Sequence, residues 1–405
     1  MKKNVIFVHS LFYPDFSAGS QMLSDLAFYL SNSNFNVSVI TSRRSYDNLS
    51  KSLPKYEIIN KVKIYRKWSS SFGRKTFIGR LLDYLTLEIS IIFGIFRLTR
   101  KNDLVVLLTD PPLLNVVTSP IILLKGGLVI NWLQDLFPEV AVGANIFSKD
   151  SLINKIITKL RNNALKKASM NIVIGKHMFN YLVDLGLSSN KISRIPNWAN
   201  GKAIKPVPIN QNKIRKNWGL ENKFVIGYSG NLGKAHDTTT IIDAIEDLKD
   251  NNNIHFLFIG GGSGMRKLIK YVNEMGLKNV MFKPYQNRDL LHLSLGVANL
   301  HWITLDPKME SFIVPSKIYG ILAAAKPIIF LGDKQGELAE VIDKIGCGKA
   351  IEIGDSKKLV LTIKEYSSDI KYIEKLGLKG RYKFEEKYDF NISAKIFLNL
   401  FENLN

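Results

Sequence analysis

The sequence predicts an α/β protein built from two doubly wound, Rossmann-like halves, each a parallel sheet with helices on both faces. Three observations carry this expectation. A chain of 405 residues exceeds a single typical core. Short apolar runs alternate with amphipathic stretches from residue 4 onward, and the same alternation restarts at Val225. Between the two series, residues 193–210 (SRIPNWANGKAIKPVPIN) are dense in turn formers and read as a linker. The halves are therefore expected at 1–200 and 201–389, with a terminal helix over about 390–405 packing back on the first half.

Composition narrows the class. With 46% hydrophobic and 22% charged residues the chain is ordinary for a soluble globular protein. Its one cysteine, Cys347, excludes an internal disulfide framework and a cysteine-rich metal site. Formal net charge is +21, and it is lopsided: residues 1–205 hold 28 Lys and Arg against 12 Asp and Glu, residues 206–405 hold 28 against 23. Such a field favours anionic partners, among them lipid headgroups and phosphorylated substrates. Nucleic acid is not expected, because no arginine-rich tail, zinc-finger spacing or RRM-like signature accompanies the charge. No stretch reaches the roughly 18 uninterrupted apolar residues of a spanning helix, so a soluble or peripheral protein is expected.

In the first half, residues 4–8 (NVIFV) read as a buried strand rather than as part of a signal peptide. The loop LFYPDFSAGS follows, then an amphipathic helix with Met22, Leu23, Leu26, Ala27 and Leu30 on one face, then a strand at 37–41. This βαβ unit groups its loops at the carboxyl edge of a parallel sheet, where Ser17, Gly19 and Ser20 could meet a ligand or simply form a turn. Residues 43–80 are basic and read as irregular. Residues 81–96 form an apolar helix, interrupted by Asp83 and Glu88 and flanked by Arg97, Arg100 and Lys101, that is expected to be buried over most of its surface, with membrane contact left to the basic stretch before it. Two further runs end in carboxylates: LVVLLTDPP in Asp110, for which capping a turn is the plain alternative, and LVINWLQDLFPE in Asp135 and Glu139.

The second half turns on FVIGYSGNLGKAHDTTTIIDAI, residues 224–245: an apolar strand, a turn in which Gly230 and Gly233 allow close backbone approach, and a helix start capped by Asp237 or Thr238. Free N–H groups at that helix start, with Lys234 and His236 beside them, outline a phosphate site; an ordinary strand-to-helix loop is the alternative. Residues 260–264 (GGGSG) do not fit the dinucleotide fingerprint G-x-G-x-x-G, so no NAD site is expected. A helix over 315–325 with Ser316 and Lys317 at its start is a second candidate anion site, and 384–404 reads as one kinked terminal helix.

Six motifs in order, FYPDFSAGS, LTDPPLL, WLQDLFPEVAV, IPNWANG, YSGNLGKAHD and VPSKIYGILAAAKP, make the chain resemble the retaining family-4 glycosyltransferases of the GT-B fold, over nearly its whole length. More narrowly it is similar to the bacterial branch that builds colanic acid, capsule or O-antigen repeat units. The resemblance implies two Rossmann-like domains facing across a cleft and a hexosyl-type transfer. The donor would be a nucleotide sugar, UDP-linked, bound mainly by the second half as substrate, with no cofactor. The acceptor would be a polyprenyl-diphosphate-linked glycan met by the basic first half, on an anionic membrane surface at the inner face of the cytoplasmic membrane. By position, Gly230, Asn231, Lys234 and His236 would face the donor diphosphate, Glu310 the transferred sugar, and Ser316, Lys317 and Tyr319 the phosphate and ribose. Gly19 would close the cleft, and Gln134 and Asp135 stand where many relatives carry His-Asp. Asp135, Glu310 and Lys234 are the expected catalytic groups.

Three departures from the pattern stand out: Gln134 in place of that histidine, Asn231 and His236 where relatives commonly carry Arg and Lys, and Ile318 or Gly320 where the second glutamate of an E-x7-E pair would be. No D-x-D occurs, so no bridging metal is expected. A UDP-sugar 2-epimerase on a like scaffold and a catalytically inactive sugar-nucleotide-binding subunit are the competing readings. An epimerase would turn over with UDP-sugar alone, and an inactive subunit would bind donor without transfer or hydrolysis.

Overall fold

The structure, a computed structural model, describes residues 2–45, 52–73 and 76–404. Its contacts divide the chain into two units, Met1–Pro196 with Ala394–Asn405, and Asn197–Ser393.

Among its described residues the first unit holds eight strands: β1 (Lys3–Val8), β2 (Phe35–Ser42), β3 (Tyr56–Ile59), β4 (Val62–Lys67), β5 (Leu104–Leu108), β6 (Leu128–Leu133), β7 (Met170–Val173) and β8 (Ile192–Arg194), in the order β3-β4-β2-β1-β5-β6-β7-β8. All neighbours are parallel except β3 and β4. The central strands are apolar throughout because helices cover both faces of the sheet; β5, LVVLL, is buried at every position. Chain order reverses about β1, with β2 on one side and β5 on the other, so the loops after β1 and β5 flank a topological switch point.

Two expectations for this unit need correction. Residues 43–80 are not irregular: they contain the β3–β4 hairpin, whose turn residues Asn60 and Lys61 have φ of 48° and 66°, the left-handed pair that a two-residue hairpin turn needs. The alternation of β4, with Val62, Ile64 and Arg66 buried, was a strand pattern masked by its charges. Arg74 and Lys75 lie outside the described residues. The apolar helix, Phe77–Leu98, is also less covered than expected. Leu87, Ile91 and Ile95 pack on the sheet beside Val8, Ile40 and Val105, whereas Ile78, Leu81, Leu82, Leu85, Ile89, Phe93 and Phe96 are exposed.

The second unit is a six-stranded parallel sheet of β9 (Phe224–Asn231), β10 (Ile254–Gly261), β11 (Val280–Lys283), β12 (Leu300–Thr304), β13 (Ile328–Leu331) and β14 (Gly348–Ile351), ordered β11-β10-β9-β12-β13-β14. Its switch point lies between β9 and β12. Beneath it Tyr228, Phe258 and Trp302 form an aromatic core, the Tyr228 and Trp302 rings 4.7 Å apart between centres.

The C-terminal stretch is two helices, Ile370–Lys387 and Phe390–Asn403, rather than one kinked helix. Asp389 makes the break by accepting from the Asn391 N–H at 2.9 Å and the Gly201 N–H at 3.0 Å. Beyond it the chain enters the first unit, where Phe397 and Phe401 are buried against Trp132, Phe7 and Phe35. Lys3 donates to the Glu402 carbonyl at 2.7 Å.

Candidate active site

The site of the second unit is built at its switch point. Gly230, next to last in β9, has φ of +127°, a conformation that only glycine adopts readily. A Cβ there would lie 3.7 Å from Lys317 Cε, so the bare backbone of Gly230 and the Lys317 side chain share one corner. The Lys317 Nζ lies 3.9 Å from the centre of the Tyr228 ring and donates to the Tyr228 hydroxyl, which in turn donates to the Asn231 carbonyl at 2.8 Å. The ring face attracts the ammonium, and the hydroxyl fixes where it points. No ion-pair partner for Lys317 stands among the described residues, and burial brings its pKa down to about 7.

His236 completes the corner. Its ring stands edge-on to Tyr228, centres 6.4 Å apart, and its Nδ1 accepts from the Gly233 N–H at 3.2 Å. Burial first, then the Lys317 charge, push its pKa down to about 3. The imidazole is therefore neutral at pH 7 with its proton on Nε2, a hydrogen-bond donor without a charge. Two backbone bonds hold this loop: Leu232 N–H to the Gly261 carbonyl at 2.8 Å, and Asp306 N–H to the Ala235 carbonyl at 2.9 Å. The second joins the loops after β9 and β12 across the switch point.

The remaining expected residues fall in different places. The first two N–H groups of the helix Thr239–Asp247 are taken, because the Asp237 carboxylate accepts from Thr239 at 3.3 Å and Thr240 at 3.0 Å. The chain's own anion stands at that helix start. Lys234 and Asn231 are exposed on the same loop. Glu310 accepts from the Glu337 N–H at 3.2 Å, at the start of the helix Glu337–Ile345, and a Cβ on Gly336 would strike its carboxylate. Ser316 precedes the helix Lys317–Ala323, and its side chain makes no capping bond. Tyr319 points into the interior at 4% exposure, its ring 5.3 Å from that of Tyr388. Of the expected donor residues the fold thus brings Gly230, Asn231, His236 and Lys317 together. Tyr228, which positions the lysine, was not anticipated; it reads in sequence as one more strand residue.

The first unit gathers a second polar set at its own switch point. Ser10, just past β1, donates its hydroxyl to Asp110, just past β5, while the Ser10 N–H reaches the Asp110 carbonyl at 2.8 Å. Asp135, past β6, is raised to about pKa 6 by burial, with the Thr109 hydroxyl bond opposing and the Asp110 charge adding. A pocket lined by Thr109, Leu113, Asn115, Asn131, Asp135 and Phe137 opens there. A Cβ on Gly19, in the helix Ala18–Ser31, would come within 3.2 Å of the buried His9 ring just past β1 and press on it. His9 was not singled out in the sequence. Glu139 is held by Arg161 and by the Tyr181 hydroxyl at 2.6 Å, a buried structural knot. Among the described residues no cluster of three or more His, Cys, Asp or Glu could hold a metal ion, and no helix is long and apolar enough to cross a membrane.

Comparison with known proteins bears on the family and the fold. Residues 210–383 match the family model "Glycosyl transferases group 1". The chain is 28% identical over 301 residues, 74% of each chain, to the probable glycosyltransferase WbjE of Pseudomonas aeruginosa, and 24% identical over 60% of each chain to WcaI of Escherichia coli K12, named as a colanic acid biosynthesis glycosyl transferase. Among solved structures, sucrose-phosphate synthase from Thermosynechococcus elongatus superposes with a TM-score of 0.79 at 15% identity, covering 99% of both chains. The Anabaena protein HepE, solved with UDP-glucose, superposes with a TM-score of 0.73 at 15% identity, covering 98% of this chain and 99% of its own. The chain is a glycosyltransferase of the GT-B fold, with residues 210–383 as its group 1 domain.

Proposed function

We propose that this enzyme transfers a sugar from a nucleotide-sugar donor, held by the second unit, to a polyprenyl-diphosphate-linked glycan in bacterial surface polysaccharide biosynthesis. The observation that carries the donor half of this reading is Lys317. An ammonium half-buried at a switch point, positioned by Tyr228 and lacking a carboxylate partner among the described residues, calls for an anion from solution. A diphosphate meets that demand. Lys317 and the exposed Lys234 would supply charge to the leaving group, and neutral His236 a hydrogen bond. A uridine nucleotide is favoured because HepE was solved with UDP-glucose. The polysaccharide setting draws on the name of WcaI.

In the proposed step the bond between the sugar C1 and the diphosphate oxygen breaks while the acceptor hydroxyl oxygen bonds C1 on the same face, retaining configuration. The acceptor proton passes to the departing phosphate oxygen. No side chain acts as nucleophile, and since the chain has no D-x-D motif the reaction is proposed to proceed without a bridging metal. Asp135 would orient the acceptor or the reacting sugar, and Glu310 would meet the transferred sugar. The enzyme would work at the inner face of the cytoplasmic membrane, where lipid-linked glycans and nucleotide sugars coexist. Mass analysis of lipid products, after incubating purified protein with a panel of UDP-sugars and lipid-linked acceptors, tests the reading. A product one sugar heavier supports it. Turnover of UDP-sugar to its 2-epimer without acceptor would replace it.

A further inference from the structure

The helix Phe77–Leu98 has two apolar faces, and the sheet uses only one of them. Ile78, Leu81, Leu85, Ile89, Phe93 and Phe96 follow at steps of three and four with Leu82 beside them, a single stripe on a 3.6-residue helix, and each is exposed, Phe93 to 66%. Leu87, Ile91 and Ile95, roughly opposite, are the buried stripe. The apolar surface continues on neighbouring elements. The helix Leu114–Leu124 touches both Phe77–Leu98 and Leu152–Lys167; it exposes Leu123 and Leu124, and the latter helix exposes Leu152, Ile153, Ile156 and Leu160. Soluble proteins scatter such residues singly, and a run of this length over adjacent helices marks a surface that meets an apolar phase.

The charges around it say which phase. Arg80, Arg97, Arg100 and Lys101 are exposed at the two ends of the helix, Lys155 and Lys159 stand beside the stripe on Leu152–Lys167, and the Lys125 ammonium lies 4.9 Å over the Phe96 ring. The two carboxylates of the helix are withdrawn from the exposed face. Asp83 accepts from the Ser70 hydroxyl at 2.7 Å and from the Phe72 and Gly73 N–H groups at 2.9 Å each, which pins the segment bearing exposed Trp68 and Phe72 beside the helix. Glu88 is drawn towards its neutral form by burial. A second copy of the chain would meet this cationic rim with its own, whereas an anionic bilayer offers acyl chains to the stripe and phosphate headgroups to the rim.

We propose that the exposed face of Phe77–Leu98, with Trp68 and Phe72 beside it, inserts into the interfacial layer of an anionic phospholipid bilayer and anchors the enzyme by apolar burial, with the surrounding arginines and lysines holding headgroup phosphate. The inference rests on the membrane placement in the proposed function, and vesicles free of any acceptor lipid test it apart from the transfer reaction. The experiment is flotation of the full chain with phosphatidylcholine vesicles and with vesicles containing phosphatidylglycerol, at low and high salt. Wild type is expected to float with the anionic vesicles and to stay largely bound at high salt, because burial of apolar area is not screened. The double variant Ile89→Glu, Phe93→Glu is expected to lower the bound-to-free ratio about tenfold or more at every salt concentration, and Arg97→Glu, Arg100→Glu to lower it at low salt only. UDP binding by each variant, unchanged from wild type, shows that the second unit is intact, and an unchanged circular dichroism melt shows the same of the first. Failure of wild type to float, flotation indifferent to the Glu substitutions, or a dimer in sedimentation equilibrium that Ile89→Glu, Phe93→Glu dissociates in place of flotation would each overturn the proposal.

Discussion

Lys317 and Tyr228, 89 residues apart in sequence, meet so that the lysine ammonium lies 3.9 Å above the phenol ring and donates to its hydroxyl. The tyrosine is fully buried on β9 and its ring packs on Trp302. The lysine is thus held by a rigid aromatic floor rather than by a carboxylate, so its charge remains available to a ligand.

Replacing that lysine by alanine should remove a charge-assisted bond to the diphosphate worth ~1.5 to 3 kcal/mol, a loss of roughly tenfold to a hundredfold in affinity for UDP. Titration calorimetry of Lys317→Ala, beside Lys234→Ala, measures it. The partly buried lysine is expected to cost more than the exposed one, and equal, small losses for both would remove Lys317 from the anion site.

Donor binding should take up a proton above neutral pH. Free Lys317 titrates near pKa 7, so at pH 8 it is mostly neutral, and a bound diphosphate raises its pKa and draws a proton onto it. Affinity should therefore weaken as pH rises through 7, by up to tenfold per unit, until the pKa of the complex is reached. Calorimetry at pH 8 in buffers of different ionisation enthalpy counts the protons, and the uptake should vanish in Lys317→Ala.

Gly230→Ala places a Cβ at φ of +127° and 3.7 Å from Lys317 Cε. The backbone strain should lower unfolding stability by about 1 to 3 kcal/mol. Any relief moves β9 or the lysine, so UDP affinity should fall as well. Denaturant unfolding and calorimetry on one sample separate the two effects; lost stability with unchanged affinity would show that this glycine serves the fold alone.

Asp135, raised to about pKa 6, is mostly ionised at pH 7 and loses its charge as pH falls through 6. If its carboxylate orients the reacting groups, kcat should fall on the acid side with that midpoint. Asp135→Asn should lower kcat about a hundredfold or more with donor affinity unchanged, the pattern expected of a group that positions the reacting atoms in the transition state. Steady-state rates of wild type from pH 5 to 8, with UDP affinity of the variant as control, check both.

Transfer should survive EDTA, since charge on the leaving diphosphate is assigned to Lys317 and Lys234. Abolition by chelator, with recovery on Mg²⁺ or Mn²⁺, would require a metal to take over part of that charge.

The fold class and its two series of βα units follow from local patterns. Runs such as LVVLL and FVIGY are apolar at nearly every position because strands buried on both faces need to be, and the helices between them show one apolar stripe each. The glycine turn at Gly230 is equally local, since a glycine at the end of an apolar run marks it without knowledge of its neighbours. What sequence could not decide was which groups meet. Asp237 occupies the helix start that a phosphate is expected to use, and a half-buried lysine on a distant helix stands at the same switch point. The β3–β4 hairpin hid behind its lysines and arginines, whose charges obscure a period of two. Helix Phe77–Leu98 shows the limit most plainly: it is apolar on two faces, and periodicity alone cannot say how many faces find a neighbour. Only the packed sheet answers that, because burial is a property of what lies across from a side chain, and here the sheet covers Leu87, Ile91 and Ile95 and leaves Ile89 and Phe93 facing outward.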